Sequence, residues 1–266
     1  SVEWHKKLNP PEIVLTNLLE LCRQARPSSV TNVVTDDRGH PTRDLPQLFP
    51  DVTSRDVNAY LSGILPGLTA KVFRTHHATR VVHDSLQSSK VKRKDPEYLK
   101  WQAASIANLE AAVLCNHTKK ASPNWEAARE RYQERQARAE ERLQGKREAL
   151  ELARRKLAAL KREAKDREAS AKSPEQRHQA RERYQSRVAK AQASIDAARE
   201  ACARAQVVLG KIKAQAMIAG RKRTWNLGTS LKSYIDPRVY HRWGEQVDYD
   251  VLSRYYPTIL QRKFAW

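Results

Sequence analysis

The chain has 266 residues, a net charge of +20 and a pI near 10.1. That length holds one large or two ordinary domains, and the charge points to a polyanionic partner, of which nucleic acid is the commonest. There is no run of about 18 apolar residues to span a membrane, and no apolar signal-peptide core near the N-terminus.

Apolar residues make up 40% of the sequence, but much of that is alanine in a charged insert, so the compact core is expected from the two ends. Cys22, Cys115 and Cys202 are odd in number and far apart. They suggest a reducing compartment and offer no zinc spacing. The sequence begins at Ser1, and its one methionine is Met217. It therefore reads as a fragment or processed product, with further parts expected upstream.

Val2, Trp4 and Leu8 share one parity and predict a short strand end. Asn9-Pro10-Pro11 starts a helix with an apolar stripe of Ile13, Val14, Leu18, Leu21, Cys22 and Ala25. Residues 27–52 read as a long loop. Thr53-Ser54-Arg55-Asp56 resembles a capping box for a helix reaching about Ile64, and Leu65-Pro66-Gly67 is a turn. Arg74 falls near the start of the next helix. Asp95-Pro96 predicts an N-cap with proline at N1, and Leu99, Ala103, Ile106 and Val113 predict the buried face of a helix ending near His117.

From about Asn124 to Ala219 the composition shifts to Arg, Glu, Lys, Ala and Gln. Leu143, Leu150, Leu157 and Ala164 recur every seven residues, with Ala139, Ala153 and Leu160 on a companion track that Lys146 interrupts. After a break near Ser170–Pro174, Tyr184, Val188, Ala191, Ile195, Ala198, Cys202, Ala205, Leu209 and Ile212 alternate by four and three. This is a coiled-coil seam, and one short turn predicts an antiparallel hairpin. In the tail, Asp236-Pro237 starts a short helix that Gly244 is expected to end, and a final helix is expected over Pro257–Phe264.

Three phrases carry the chemistry: Leu68-Thr69-Ala70-Lys71-Val72-Phe73-Arg74-Thr75, Leu114-Cys115-Asn116-His117, and Leu227-Gly228-Thr229-Ser230-Leu231-Lys232-Ser233-Tyr234-Ile235-Asp236-Pro237. In this order, and with a charged insert between the second and third, they resemble type IB DNA topoisomerases of the eukaryotic and archaeal kind. The resemblance implies a mainly α fold, with a tyrosine-recombinase/type IB topoisomerase catalytic core interrupted by a long antiparallel coiled-coil hairpin. It divides the chain into a core part at 1–121, a coiled-coil linker at 122–219 and a C-terminal domain at 220–266. It also implies relaxation of supercoiled DNA through a tyrosine joined to a 3′-phosphate, with Arg74, His117 and Tyr234 as the catalytic residues. Lys71, Thr229 and Lys232 are assigned to DNA contact. Double-stranded DNA is the expected partner of a monomer, with no cofactor, metal, small-molecule substrate or membrane. The expected location is the nucleus, or the nucleoid or cytoplasm if the source is archaeal.

The residue types suit this chemistry. A tyrosine oxygen can hold a phosphate covalently and conserve its bond energy. An arginine fork matches two phosphate oxygens and keeps its charge. A histidine can donate to a non-bridging oxygen whether charged or neutral. The pattern is departed from in two places. The family carries a further Arg and a Lys upstream of the KVFRT phrase, and neither is present, so the isolated chain is expected to be inactive. Ser233 stands where eukaryotic members commonly have Asn, beside the camptothecin site. Two rival readings are a tyrosine recombinase or integrase, in which a His would be expected at Lys71, and a non-catalytic DNA-binding coiled-coil protein, which leaves the three phrases unexplained.

Overall fold

In a computed structural model, residues 9–25 and 48–264 are described. They are mainly helical and fall into two compact units, 1–73 and 74–266. The strand end expected at Val2–Leu8 and most of the loop expected at 27–52 lie outside the described residues.

In the first unit, α1 (Glu12–Gln24) has Glu12 in its first turn and Arg23 in its last, each matched to the helix dipole. Its expected apolar stripe forms no core, since no residue of α1 is buried. The capping box before α2 (Ser54–Ile64) forms: Thr53 accepts from the Asp56 N–H, and Asp56 accepts from the Thr53 N–H. Gly67 turns the chain at a φ of 81°. The Asn58 side chain then accepts from the Ala70 N–H at 3.0 Å, where α3 (Ala70–Ser88) begins.

The second unit is built around α4 (Glu97–Leu114). Its small residues Ala104, Ala107, Ala111 and Ala112 are fully buried. Leu99 and Ile106 are only half-buried and Val113 is exposed, contrary to the expected face. The reason is that α4 meets several neighbours, and small side chains let their backbones approach. The N-cap is Pro96. Asp95 instead closes the preceding turn by accepting from the Lys92 N–H. Lys100 is buried and donates to the carbonyls of Arg93 and Asp248, which satisfies its charge without a carboxylate.

Along α3, Ala78, Val82 and Leu86 recur every four residues and face this core. The tail completes it with α7 (Leu227–Ser233), α8 (Pro237–Val247), α9 (Val251–Arg254) and α10 (Thr258–Lys263). Their aromatic residues Tyr240, Trp243, Tyr249 and Tyr256 are buried. Tyr240 donates to the Ala104 carbonyl, and burial drives its phenol pKa well up. Gly244 does not end α8 as expected. It lies inside the helix, where a Cβ would meet the Tyr249 carbonyl oxygen at 2.4 Å, and Asp248 ends the helix at a φ of 57°.

Between these parts, α5 (Trp125–Ser170) and α6 (Pro174–Arg221) run side by side. Glu140 pairs with Lys213, Tyr184 donates to Glu163, and Arg181 pairs with Glu168. The partner's number falls as the first rises, so the pair is antiparallel. Leu150 and Leu157 pack with Ile195, and Ala139 and Leu143 pack with Leu209 and Ile212. Each such Leu or Ile contributes about 1.5–3 kcal/mol on burial. Ser173 caps α6 by accepting from the Gln176 N–H. The last turns of α6 also pack on α4, with Ile218 only 1% exposed and Gly210 pressed against Tyr98.

Candidate active site

The buried row of α3 explains where Arg74 points. It lies four residues before Ala78, at the end of the row that joins the core cluster. Its guanidinium donates to the Cys115 carbonyl at the end of α4, and its Cζ stands 5.0 Å from the centre of the Tyr234 ring. Among the described residues no carboxylate lies within ion-pair distance of Arg74. An exposed cation with no carboxylate at ion-pair distance suits an anionic ligand.

His117 is placed by the way α4 stops. Asn116 takes a left-handed conformation, φ 52°. Its N–H donates to the Val113 carbonyl and the His117 N–H to that of Ala112. This double bond pattern is the Schellman ending, with asparagine in place of the more usual glycine. The chain beyond is then tied to the segment before α7. The His117 carbonyl accepts from the Asn226 N–H at 2.7 Å, Thr118 bridges Trp225, and the Lys119 N–H donates to Thr224.

Asn226 has a second task. Its side chain accepts from the Thr229 N–H and so caps α7. That helix carries Ser230 and ends at Tyr234, four residues on and on the same side. The Ser230 hydroxyl is 2.8 Å from His117 Nδ1. The His117 and Tyr234 rings lie 4.8 Å apart between centres, tilted by 47°. Arg74, His117 and Tyr234, separated by long stretches of chain, thus meet at one place. Burial, and then the Arg74 charge, hold the His117 imidazole below its usual pKa, which favours the neutral ring. Burial pushes the Cys115 thiol up, partly opposed by Arg74.

The expected DNA-contact residues have separate places. Lys71 belongs to the first unit, exposed at the start of α3. Lys232 is exposed on α7, and its carbonyl accepts from Lys263 at 3.5 Å. Thr229 serves α7 through its backbone N–H. Four residues that help build the site were not singled out from the sequence: Thr79, Asn116, Asn226 and Ser230. Asn116 and Asn226 carry a readable signal, since asparagine both tolerates φ > 0 and caps helices. Ser230 carries none beyond its spacing of four residues to Tyr234, and Thr79, five residues after Arg74, carries none.

Among the described residues no group of three or more His, Cys, Asp or Glu side chains is disposed to hold a metal ion.

Two family models match. The one described as eukaryotic DNA topoisomerase I, catalytic core, covers residues 30–150 and includes Arg74 and His117. The one described as C-terminal topoisomerase domain covers 206–266 and includes Tyr234. The chain is similar to the human protein named DNA topoisomerase I, mitochondrial, with 26% identity over 82% of this chain and 32% of that protein. It is similar to Drosophila melanogaster DNA topoisomerase 1, with 26% identity over 82% of this chain and 18% of that protein. It also resembles Arabidopsis thaliana DNA topoisomerase 1 alpha, with 39% identity over 28% of this chain and 8% of that protein. The chain therefore spans about a third or less of the length of these relatives. The two matches flank the outer part of the α5–α6 pair and hold all three converging residues, and the chain belongs to the eukaryotic DNA topoisomerase I family, the type IB topoisomerases.

Proposed function

We propose that this chain forms the tyrosine-bearing catalytic part of an enzyme that relaxes supercoiled double-stranded DNA. The observation that carries the reading is the convergence of Arg74, His117 and Tyr234, with a ring 5.0 Å from a guanidinium that no described carboxylate neutralises. The Tyr234 oxygen attacks a backbone phosphorus as its phenol proton passes to water. The P–O5′ bond breaks, the departing 5′ oxygen takes a proton, and a 3′-phosphotyrosyl ester remains. The nicked duplex rotates, and the 5′-hydroxyl attacks the phosphorus and returns the bond and the proton. Arg74 and His117 offset the charge on the five-coordinate phosphate.

In this reading, residues 1–121 complete the core, 122–219 form a coiled-coil linker and 220–266 present the nucleophile. Lys71, Thr229 and Lys232 position the DNA backbone, which fixes register without reading bases. The protein acts as a monomer, in the nucleus, or in the nucleoid or cytoplasm if the source is archaeal, although three similar proteins bear the name mitochondrial. The test is a denaturing gel with end-labelled DNA and the full-length protein. Tyr234→Phe should bind DNA and form no covalent adduct. An adduct with that variant would remove Tyr234 as the nucleophile.

A further inference from the structure

We propose that Ser230 is a positioning residue that fixes the tautomer of His117, donating its hydroxyl proton to Nδ1 so that His117 presents Nε2–H to the phosphate as an uncharged donor. The inference rests on the reading of the site given above and adds to it the protonation state of one member.

The argument is one of hydrogen-bond accounting. Ser230 is completely buried, at 0% exposure. Among the described residues its hydroxyl has one partner, His117 Nδ1 at 2.8 Å. A serine hydroxyl has one proton and must place it. If Nδ1 carried a proton and donated to Ser230, the hydroxyl proton would be left buried with no acceptor, at a cost of about 1–3 kcal/mol. With the hydroxyl as donor, Nδ1 is the acceptor and the ring proton sits on Nε2.

The surroundings agree. The groups facing the ring are Arg74 from α3, Cys115 at the end of α4, and Ser230 and Tyr234 from α7. None of them is a carboxylate that would favour an imidazolium. The backbone on both sides of the ring is fixed, by the Schellman ending before it and by the bond from Asn226 after it. Ser230 therefore sets the last freedom, which nitrogen carries the proton. A neutral donor also avoids a second positive charge beside Arg74 before DNA arrives.

The test uses the 266-residue chain with 15N-labelled histidine, its eight histidines sorted by a His117→Gln variant. Long-range 15N–1H correlation separates the two neutral tautomers directly. In the wild type, His117 should be the Nε2–H form, and finding mainly Nδ1–H overturns the proposal without any variant. In Ser230→Ala, checked for folding by circular dichroism, the Nδ1–H form should become populated. The titration midpoint of His117 should also rise, because a bond that favours the neutral ring has been lost. A fall in the midpoint means that the hydroxyl accepts, and an unchanged ring means that Ser230 does not act on it. Either result overturns the proposal. In the full-length enzyme, Ser230→Ala should slow cleavage on the order of tenfold, the low end of the scale seen for partners that orient metal-bound histidines, with DNA affinity unchanged. The spectra do not depend on cleavage, so a failed adduct assay and a wrong tautomer remain separate results.

Discussion

The Asp236 backbone N–H donates to the Thr79 hydroxyl at 3.1 Å, joining the turn after Tyr234 to the middle of α3. Arg74 lies on that same helix. One hydrogen bond thus links the segment that carries the candidate nucleophile to the helix that carries the candidate phosphate clamp.

Thr79→Val keeps shape and removes the acceptor. It leaves the Asp236 N–H unsatisfied in a part-buried place, which should cost about 1–2 kcal/mol. Urea unfolding of the chain should show a lower midpoint for Val and a nearly unchanged one for Thr79→Ser. Equal midpoints for Val and wild type would mean that the bond contributes nothing.

Asn116 bears a second prediction. Its φ of 52° suits glycine and asparagine and penalises branched side chains. Asn116→Gly should leave stability nearly unchanged. Asn116→Val should lose about 1–2 kcal/mol and shift His117 from Tyr234, readable as a change in the His117 ring resonances. A valine variant as stable as wild type would show that this helix ending is not held as described.

The sequence made the long elements legible and the site only partly so. Seven-residue repeats marked α5 and α6 because a two-helix seam uses one narrow stripe. Of the face expected for α4, Ala103 is buried and Leu99, Ile106 and Val113 are not, because a helix packed on several sides buries alanines, and alanine leaves no periodic signal. In the sequence, residues 227–233 read as part of a motif and not as a helix. The helix α7 is seven residues long and contains Gly228, Thr229 and Ser230, which are weak helix formers, and its cap on Asn226 and its packing decide it. Arg74, His117 and Tyr234 were found through their phrases. The bonds that seat them, from Thr79, Asn226 and Ser230, are long-range pairings that no local pattern announces.

Gly244 offers a test of close approach. A methyl group there would sit 2.4 Å from the Tyr249 carbonyl oxygen, a backbone atom that cannot swing away, and 3.0 Å from Val251 Cγ2. Gly244→Ala should therefore destabilise the chain by about 1–3 kcal/mol despite alanine's better helix propensity. Thermal unfolding distinguishes the outcomes: a raised midpoint would mean that propensity outweighs the clash.

Acid should weaken the α8 start. The Asp236 carboxyl is held below its ordinary value of 3.8, chiefly by its bond to Arg238, with burial opposing. A depressed folded pKa contributes stability above the unfolded value, and that contribution is lost as pH falls through the folded one. Arg238 is 68% exposed, so solvent screening keeps the effect small, within about 1 kcal/mol. Asp236→Asn should be less stable than wild type at pH 7, and the difference should close as pH falls from 3.8 through the lowered folded value. A difference that does not change with pH would assign the loss to geometry and not to charge.

The chemistry itself is tested through Arg74 and His117 in the full-length protein. Arg74→Ala removes both the bond to Cys115 and the charge over Tyr234. Loss of one fixed donor to a developing anion typically costs on the order of 100- to 1000-fold in rate. Arg74→Lys keeps the charge but not the fork, so it should recover only part of that loss. His117→Gln keeps an N–H donor and should be milder than His117→Ala, because the proposed task of the ring is donation and not proton transfer. The proposed steps need no metal or nucleotide, so plasmid relaxation should persist in EDTA and without ATP. Single-turnover cleavage of a suicide duplex, followed as covalent adduct against time, reads all four variants on one scale. If His117→Gln falls as far as His117→Ala while both still bind DNA, donation alone does not describe what His117 does, and the ring must exchange a proton during the reaction.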